Sequence, residues 1–281
     1  MPDTDPQEPS GGAWAPRKAT ATRESPGTSV APASVAVLSD AHGNLQALEA
    51  VVEAARARGA DHFLCLGDVV GYGADPGPCL RRLRELTETI VLGNHDAAVA
   101  GLQDLTYFNP QARAAARWTT AVLREEELRF LSRLPLALEW GDALLVHADP
   151  RAPDHWAYIE TAAAAAAAME AVTAKLCFVG HSHRPFIAAL AGPAGIGGPP
   201  APPLHRSEGP RPLDPGRRYL VNAGSVGQPR DGDPRASFAL WDRRQNQVEL
   251  VRVSYDVAAA QARIRDAGLP PVLADRLAVG W

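Results

Sequence analysis

The chain has 281 residues, 46% of them apolar, enough for one large α/β domain or two small ones with a sizeable core. A formal charge of −4 gives no basic footprint for bulk nucleic acid or for an anionic membrane surface, so neither partner is expected. A small anionic substrate in a locally cationic site stays open.

The first 32 residues are rich in Pro, Gly, Ser and Thr and lack an apolar run long enough for a signal-peptide core or a membrane span. A disordered tail to about Pro32 and a cytoplasmic chain are the expectation. Cys65, Cys79 and Cys177 form no CxxC pair. Cys65 and Cys177 lie inside the apolar runs FLCLG and LCFVG, which makes them small core residues and implies a reducing compartment.

From residue 33 onward, apolar runs alternate with helical patterns, the signature of a layered α/β fold. Val35–Leu38 reads as a strand, followed by a helix with Leu45, Leu48, Val51, Val52 and Ala55 on one face. Asn44 caps that helix and Gly59 sits past its end. Phe63–Leu66 is a second strand, residues 80–86 centre a second helix, and Ile90–Leu92 is a third strand. Residues 110–133 are mostly helical, and Leu144–Val146 is a fourth strand. The alanine run 162–168 is a helix packed closely on a neighbour, and Cys177–Val179 is a further strand. Residues 191–217, dense in Pro and Gly, are expected to form a surface insertion without regular structure. Tyr219–Val221 is a strand, Ser237–Trp241 and Val248–Val253 a hairpin joined by residues 243–246, and two short helices end the chain, one capped by Asp256 and stopped by Gly268.

Strand after strand ends in a short turn that delivers an Asp, His or Asn: Asp40 and His42, Asp68, Asn94 and His95, His147, then His181 and His183. In open α/β sheets, ligands bind beyond the carboxyl ends of strands, so five such turns imply one convergent site. Carboxylate, imidazole and amide oxygen without thiolate suit Mn, Fe, Zn or Ni and argue against a structural zinc or an iron–sulfur cluster. The set exceeds the needs of one ion. Two divalent ions about 3.5–4 Å apart, bridged by one carboxylate and one water, would use it, generate hydroxide near neutral pH and neutralise phosphoryl charge. Each motif alone has an ordinary reading, such as a capped turn or a polar loop. The common order behind apolar runs is what the ordinary reading leaves unexplained.

Asp40-Ala41-His42-Gly43-Asn44, Gly67-Asp68, Gly93-Asn94-His95-Asp96, His147 and Gly180-His181-Ser182-His183 resemble the calcineurin-like metallophosphoesterases. The resemblance runs over about residues 33 to 277. The segment from Asn222-Ala223-Gly224-Ser225 to Asp231-Gly232 and the later Gly268-Leu269-Pro270 look like a bacterial phosphodiesterase-type branch. It implies a four-layer α/β/β/α sandwich with two facing mixed sheets, as one domain over 33–281. It also implies that Asp40, His42 and His183 hold one metal, that Asp68 bridges, and that Asn94, His147 and His181 complete the second site. Manganese comes first, with iron, zinc or nickel as alternatives. His95 would reach the substrate without binding metal, protonating the leaving oxygen or stabilising the phosphoryl transition state.

Asn44, Asn222 and Arg230 are candidate substrate contacts, the arginine as a bidentate phosphate ligand or an ordinary surface residue. His155 either lines the pocket or belongs to a plain loop; His62 and His205 read as solvated. The phosphoprotein phosphatases and dinucleotide tetraphosphatases of the superfamily usually carry Gly-Asp-x-Val-Asp-Arg-Gly, whereas this chain has Gly67-Asp68-Val69-Val70-Gly71-Tyr72-Gly73. The phosphate-gripping arginine and the aspartate that orients the histidine are both missing, and Asp96 replaces a common glutamate. A phosphodiesterase is therefore the leading expectation. A phosphomonoesterase, protein phosphatase or dinucleotide polyphosphate hydrolase is the alternative, and a non-catalytic interaction scaffold on the same fold is the reading from another class.

Overall fold

The structure, a computed structural model, describes residues 17–18, 33–190 and 203–281. The expected tail, apart from Arg17 and Lys18, and the first part of the 191–217 segment lie outside the described residues.

The chain begins with β1 (Arg17–Lys18), β2 (Ser34–Leu38), α1 (Leu45–Ala57), β3 (His62–Cys65), α2 (Pro76–Leu86) and α3 (Asn94–Val99). It continues through α4 (Pro110–Val122), α5 (Glu125–Leu131), β4 (Ala137–Trp140), β5 (Ala143–Val146), α6 (Ala162–Glu170), β6 (Leu176–Val179) and β7 (Phe186–Leu190). The last third holds β8 (Gly209–Pro212), β9 (Arg218–Asn222), β10 (Ala236–Asp242), β11 (Gln247–Val253), α7 (Val257–Asp266) and α8 (Pro271–Asp275). Two mixed sheets result, ordered β3-β2-β10-β11-β8 and β1-β4-β5-β6-β9-β7. The central parallel pairs are β2 with β3, β5 with β6, and β6 with β9.

Strand residues apolar on both faces explain the four layers. Val35 and Val37 of β2 point between the sheets, where they join Leu145, Phe178, Val221 and Trp241. Ala36 and Leu38 point the other way, onto Leu48 and Val51 of α1 and Leu80 of α2. In the second sheet, Cys177 and Val179 of β6 meet Ala165, Ala168 and Met169 of α6, so the alanine run serves close helix–sheet packing. Helix α1 starts where the side chain of Asn44 accepts the N–H of Ala47 at 3.1 Å, and α7 where Asp256 accepts that of Ala259 at 2.9 Å.

The structure departs from the sequence expectation in four places. Residues 90–92 form no strand: after one bridge between Cys65 and Ile90, the N–H of Leu92 turns to the carbonyl of Pro135 and the chain enters α3. Strands β4 and β7 add to the second sheet where none was anticipated. The 191–217 segment is not irregular throughout, because His205 bridges Ile187 and β8 pairs antiparallel with β11. Pro210 and Pro212 are tolerated there because β8 is an edge strand, where a missing N–H costs no ladder bond. His62 is half-buried and stacked on Trp140 at 5.2 Å rather than solvated. All three cysteines are free and buried, and among the described residues no helix is long and apolar enough to cross a membrane.

Candidate functional site

The turns after β2 and β3 are bonded to each other before any side chain is considered. Asp40 N–H donates to the carbonyl of Gly67, His42 N–H to that of Asp68 and Gly43 N–H to that of Val69, at 2.9–3.0 Å. Among the described residues, eight non-glycine residues have positive φ, and seven of them are Asp40, His42, Asp68, Tyr72, Trp156, His181 and His183. The eighth, Asn246, sits in the β10–β11 turn, where asparagine is ordinary. Left-handed backbone costs about 1–3 kcal/mol per residue and persists only where the surroundings over-determine it. Its concentration in these turns marks this rim as the functional one.

The close approach of the turns also fixes glycine. A Cβ on Gly93 would stand 2.1 Å from Asp68 Oδ1, and one on Gly71, where φ is +92°, would stand 2.6 Å from His95 Nδ1. Any side chain at either position would displace the site residue beside it.

Each carboxylate is anchored by one oxygen and free at the other. Asp40 Oδ2 accepts the N–H of His181 at 3.1 Å, and Asp68 Oδ1 accepts that of His95 at 2.8 Å. Asp40 Oδ1, Asp68 Oδ2 and Asn94 Oδ1 are buried without a hydrogen-bond partner. Four imidazoles close around these oxygens. His183 Nε2 lies 3.1 Å from Asp40 Oδ1, and Asp68 Oδ2 lies 3.3 Å from His147 Nε2 and 3.6 Å from His42 Nε2.

The outer nitrogen of each ring fixes its tautomer. His42, His147 and His183 turn Nδ1 to the carbonyls of Val70, Leu66 and Gln228, and His181 turns Nε2 to that of Trp156. A carbonyl only accepts, so each outer nitrogen carries a proton, and in a neutral ring the inner nitrogen presents a lone pair. Inner nitrogens then oppose one another at 3.1 Å between His42 and His183 and at 3.2 Å between His147 and His181. Lone pairs that close repel unless a cation or a proton lies between them. Orphaned carboxylate oxygens and aligned ring nitrogens with backbone-bonded outer sides fit divalent metal ions. Three ligand groups satisfy the spacing: Asp40, His42 and His183; His42, Asp68 and His95; and Asp68, His147 and His181, each within 4.8 Å.

The electrostatics agree. Burial opposes ionisation of Asp40, yet His183, His42 and His147 hold its carboxyl well below the usual range. Asp68 behaves alike, with His147, His95 and His42 outweighing burial. Burial lowers His181 to about 4, with His147 adding to the effect, and lowers His183 to about 3, with Arg230 adding. His147 goes the other way, to about 9, because Asp68 and Asp40 overcome its burial. Burial also pushes Asp96 up to about 7, aided by the Asp68 charge. Its carboxyl accepts the N–H groups of Val69, Val70 and Gly93 at 3.1–3.3 Å and so braces the Asp68 turn.

His95 has no orienting carboxylate. Its ring is wedged between Tyr72 at 4.3 Å, Phe108 at 4.9 Å and His42 at 4.9 Å, with Nδ1 buried against Gly71 and unpartnered. Burial lowers its pKa well below the usual range, against the pull of Asp68. Packing thus holds the histidine where other members of the resembled family use an aspartate.

Two anticipated substrate contacts are engaged within the protein. Asn44 is occupied by the α1 cap and by donation to the carbonyl of Gly227 at 2.9 Å. Asn222 is fully buried: its amide donates to Gly180 and Ser182, and its oxygen accepts from Gly224. Neither amide is free for a ligand. Arg230 is half-buried, bonds Gln228 Oε1 at 2.9 Å and sits with Cζ 5.6 Å over the Tyr72 ring; no carboxylate among the described residues pairs with it. An arginine therefore does reach the Tyr72 position, from the turn after β9. His205 lies away from the site, beside Ile187.

Sequence reasoning missed Trp156 and Tyr158. The carbonyl of Trp156 fixes His181 at 2.8 Å from a residue with φ of +55°, and the Tyr158 ring stacks on His181 at 4.2 Å and 9°. The available signal was an aromatic pair two residues apart, next to His155. His155 lines the same opening, a cleft of about 910 Å³ that also takes in Asn94, His95 and His181.

Comparison with known proteins follows the same line. A family model described as the calcineurin-like phosphoesterase superfamily domain matches residues 34–246. An uncharacterised protein of Methanocaldococcus jannaschii is 40% identical over 252 residues, which is 88% of this chain and 98% of its own length. The crystal structure of a metallophosphoesterase from Sphaerobacter thermophilus shares 40% identity and a TM-score of 0.77, covering 89% of this chain and 100% of that one. A hypothetical protein from Pyrococcus horikoshii OT3, at 22% identity and a TM-score of 0.70, covers 88% of this chain and 98% of its own and has the same fold.

Proposed function

The chain belongs to the calcineurin-like phosphoesterase superfamily, and from that premise we propose that it is a phosphodiesterase working with two divalent ions. The family indicates a hydrolase of phosphoester bonds, and the Asp/His clusters suit divalent cations. One observation carries the finer reading. Asp68 Oδ2, buried and unpartnered, lies 3.6 Å from His42 Nε2 and 3.3 Å from His147 Nε2, and so stands between one donor of each assigned set.

Asp40, His42 and His183 are assigned to one ion, and Asn94, His147 and His181 to the other, with Asp68 shared. Manganese is the proposed ion, and iron, zinc and nickel accept overlapping donors. Such ions, when bound, lower the pKa of water and neutralise charge developing on a phosphoryl group.

The protein's own groups do the rest. His95, held neutral by burial, presents an N–H to the leaving oxygen or to a phosphoryl oxygen. Arg230, with no carboxylate partner among the described residues, can grip a non-bridging phosphate oxygen. The diester preference rests on the Gly71-Tyr72 replacement, which takes the motif arginine out of the turn after β3 and leaves Arg230, with Arg276 near Tyr72, to face the phosphate. A monoester dianion would call for more positive charge.

The test is metal analysis joined to turnover. Chelated protein should be inactive, and Mn²⁺ should restore hydrolysis of diesters over matched monoesters. His95→Ala should keep its metal and lose about 10²–10⁴-fold in turnover. A monoester preference points to the phosphatase alternative. Failure to take up metal at all, with no turnover on any ester, overturns the proposal in favour of a scaffold.

A further inference from the structure

The cleft beside the donor cluster carries a second message. Seven large apolar side chains are exposed among the described residues, and Leu102, Tyr107 and Tyr158 all line this one cleft, at 56%, 82% and 53% exposure. Exposed apolar surface gathered in one concave place marks a binding wall rather than ordinary scatter. Phe108 and Trp156 extend the wall, so four aromatic rings besides Tyr72 surround the opening next to Asn94 and His95. At about 910 Å³ the space lies within the range of small-molecule sites.

The charge of the wall narrows the ligand. Among the described residues no lysine or arginine lines the cleft, and Asp154 supplies a negative charge. A second phosphate entering there would face Asp154, with Arg230 and Arg276 only at the Tyr72 and Tyr158 edge of the cleft. Gln103, also on the wall, has a buried amide oxygen without a partner, which suits a hydrogen bond to a polar edge.

We infer that this cleft binds the ester group of the substrate, and that this group is an uncharged planar aromatic, either a nucleobase-bearing or a simple aryl group, carrying a single phosphate. The inference rests on the phosphoesterase reading of the adjoining cluster. Tyr107 is its chief determinant that can be altered cleanly, because its ring is almost wholly in solvent and touches no donor residue.

The test uses Mn²⁺-loaded protein and pairs of diesters matched in leaving-group chemistry. Benzyl methyl phosphate is set against cyclohexylmethyl methyl phosphate, and adenosine 5′-methyl phosphate against ribose 5-methyl phosphate. Each aromatic member should exceed its partner in kcat/KM by roughly five- to tenfold, the scale of one good ring–ring contact. Tyr107→Ala should bring both ratios toward one. Calorimetric Kd values for benzyl- and cyclohexylmethylphosphonate, which are not hydrolysed, should show the same ratio and the same loss. An adenosine advantage above the benzyl one identifies a nucleobase; equal advantages identify a simple aryl group. Ratios near one in the unaltered protein, in rate and in phosphonate binding, overturn the inference even if every ester is cleaved. Absence of turnover on all four esters overturns the phosphoesterase reading instead, and the phosphonate ratio still decides the cleft.

Discussion

In the donor cluster, every outer ring nitrogen and one oxygen of each metal-facing carboxylate are bonded to backbone, whereas the aromatic wall a few ångströms away is held by loops and leaves Tyr107 and Tyr158 half or more in solvent. The first region is over-determined: turns from both sheets must come together for His181 N–H to reach Asp40 and for Ser225 Oγ to reach the Asp40 carbonyl at 2.9 Å. The second is adjustable. Chemistry that must not move is built on strand ends, and selection among substrates is left to side chains that can change without disturbing those strands.

The sharpest way to break this division is Asp68→Asn. The change keeps the bond from His95 N–H to Oδ1 possible, but removes the charge shared by two ligand groups. Metal content should fall at both positions, and activity should drop by more than the roughly 10–100-fold typical of residues that merely orient a ligand. Full metal occupancy by elemental analysis would mean that Asp68 is not shared.

Next in size is Gly71→Ala, which alters neither a ligand nor the cleft wall. Its Cβ would stand 2.6 Å from His95 Nδ1, at a φ of +92° that alanine resists. A displaced His95 should cost about 100-fold in turnover while the metal stays bound. Loss of metal along with activity would show that the histidine and the ligands cannot be moved separately.

A smaller effect concerns the metal-free cluster itself. His147 is raised to about 9 and Asp96 to about 7, each above its unfolded value, so the folded state holds these protons more tightly. Their contribution to stability is full below the unfolded pKa and is lost as pH rises through the folded one. Between pH 6 and about 7.5 the lowered His95, His181 and His183 oppose this loss as their unfolded rings give up protons, so chelated protein should melt lower at pH 9 than at pH 7.5, with His147 carrying most of the fall. Asp40 and Asp68, both lowered, contribute nothing to the change because they are ionised throughout. Metal replaces the His147 proton, so Mn²⁺-loaded protein should show a flatter profile. Equal slopes with and without metal, measured by calorimetry, would remove His147 from the ligand set.

The same contrast explains what could be read from the sequence. The donor residues were legible because strand-end turns keep a fixed spacing: Asp40 and His42 follow β2, and His181 and His183 follow β6, each behind a buried apolar run. The layers were legible because those runs are apolar on both faces. Short edge elements were not, since β7 and β8 owe their pairing to partners far along the chain, and Pro210 and Pro212 read as loop until an edge position is known. Asn44 and Asn222 are ambiguous in the sequence because a cap and a turn use the same amide chemistry as a substrate site. The aromatic wall offered only the Trp156 and Tyr158 pair, as Tyr72 and Phe108 come from separate segments without a common period.

The finest probe of the boundary is Tyr158, which belongs to both regions. Its ring lines the cleft and stacks on His181 at 4.2 Å, while the Trp156 carbonyl independently fixes the His181 tautomer at 2.8 Å. If the backbone bond does the positioning, Tyr158→Ala should weaken metal binding on the His181 side only a few-fold, since a ring contact contributes about 0.5–1.5 kcal/mol and this one is half exposed. Tyr158→Phe keeps the ring and should match the unaltered protein in metal affinity. The fold should be unaffected in both, because Tyr158 is absent from the buried core clusters. A loss of more than about 100-fold in metal affinity for Tyr158→Ala, at unchanged melting temperature, would mean that the wall is part of the ligand scaffold. The cleft could not then vary independently of the cluster it serves.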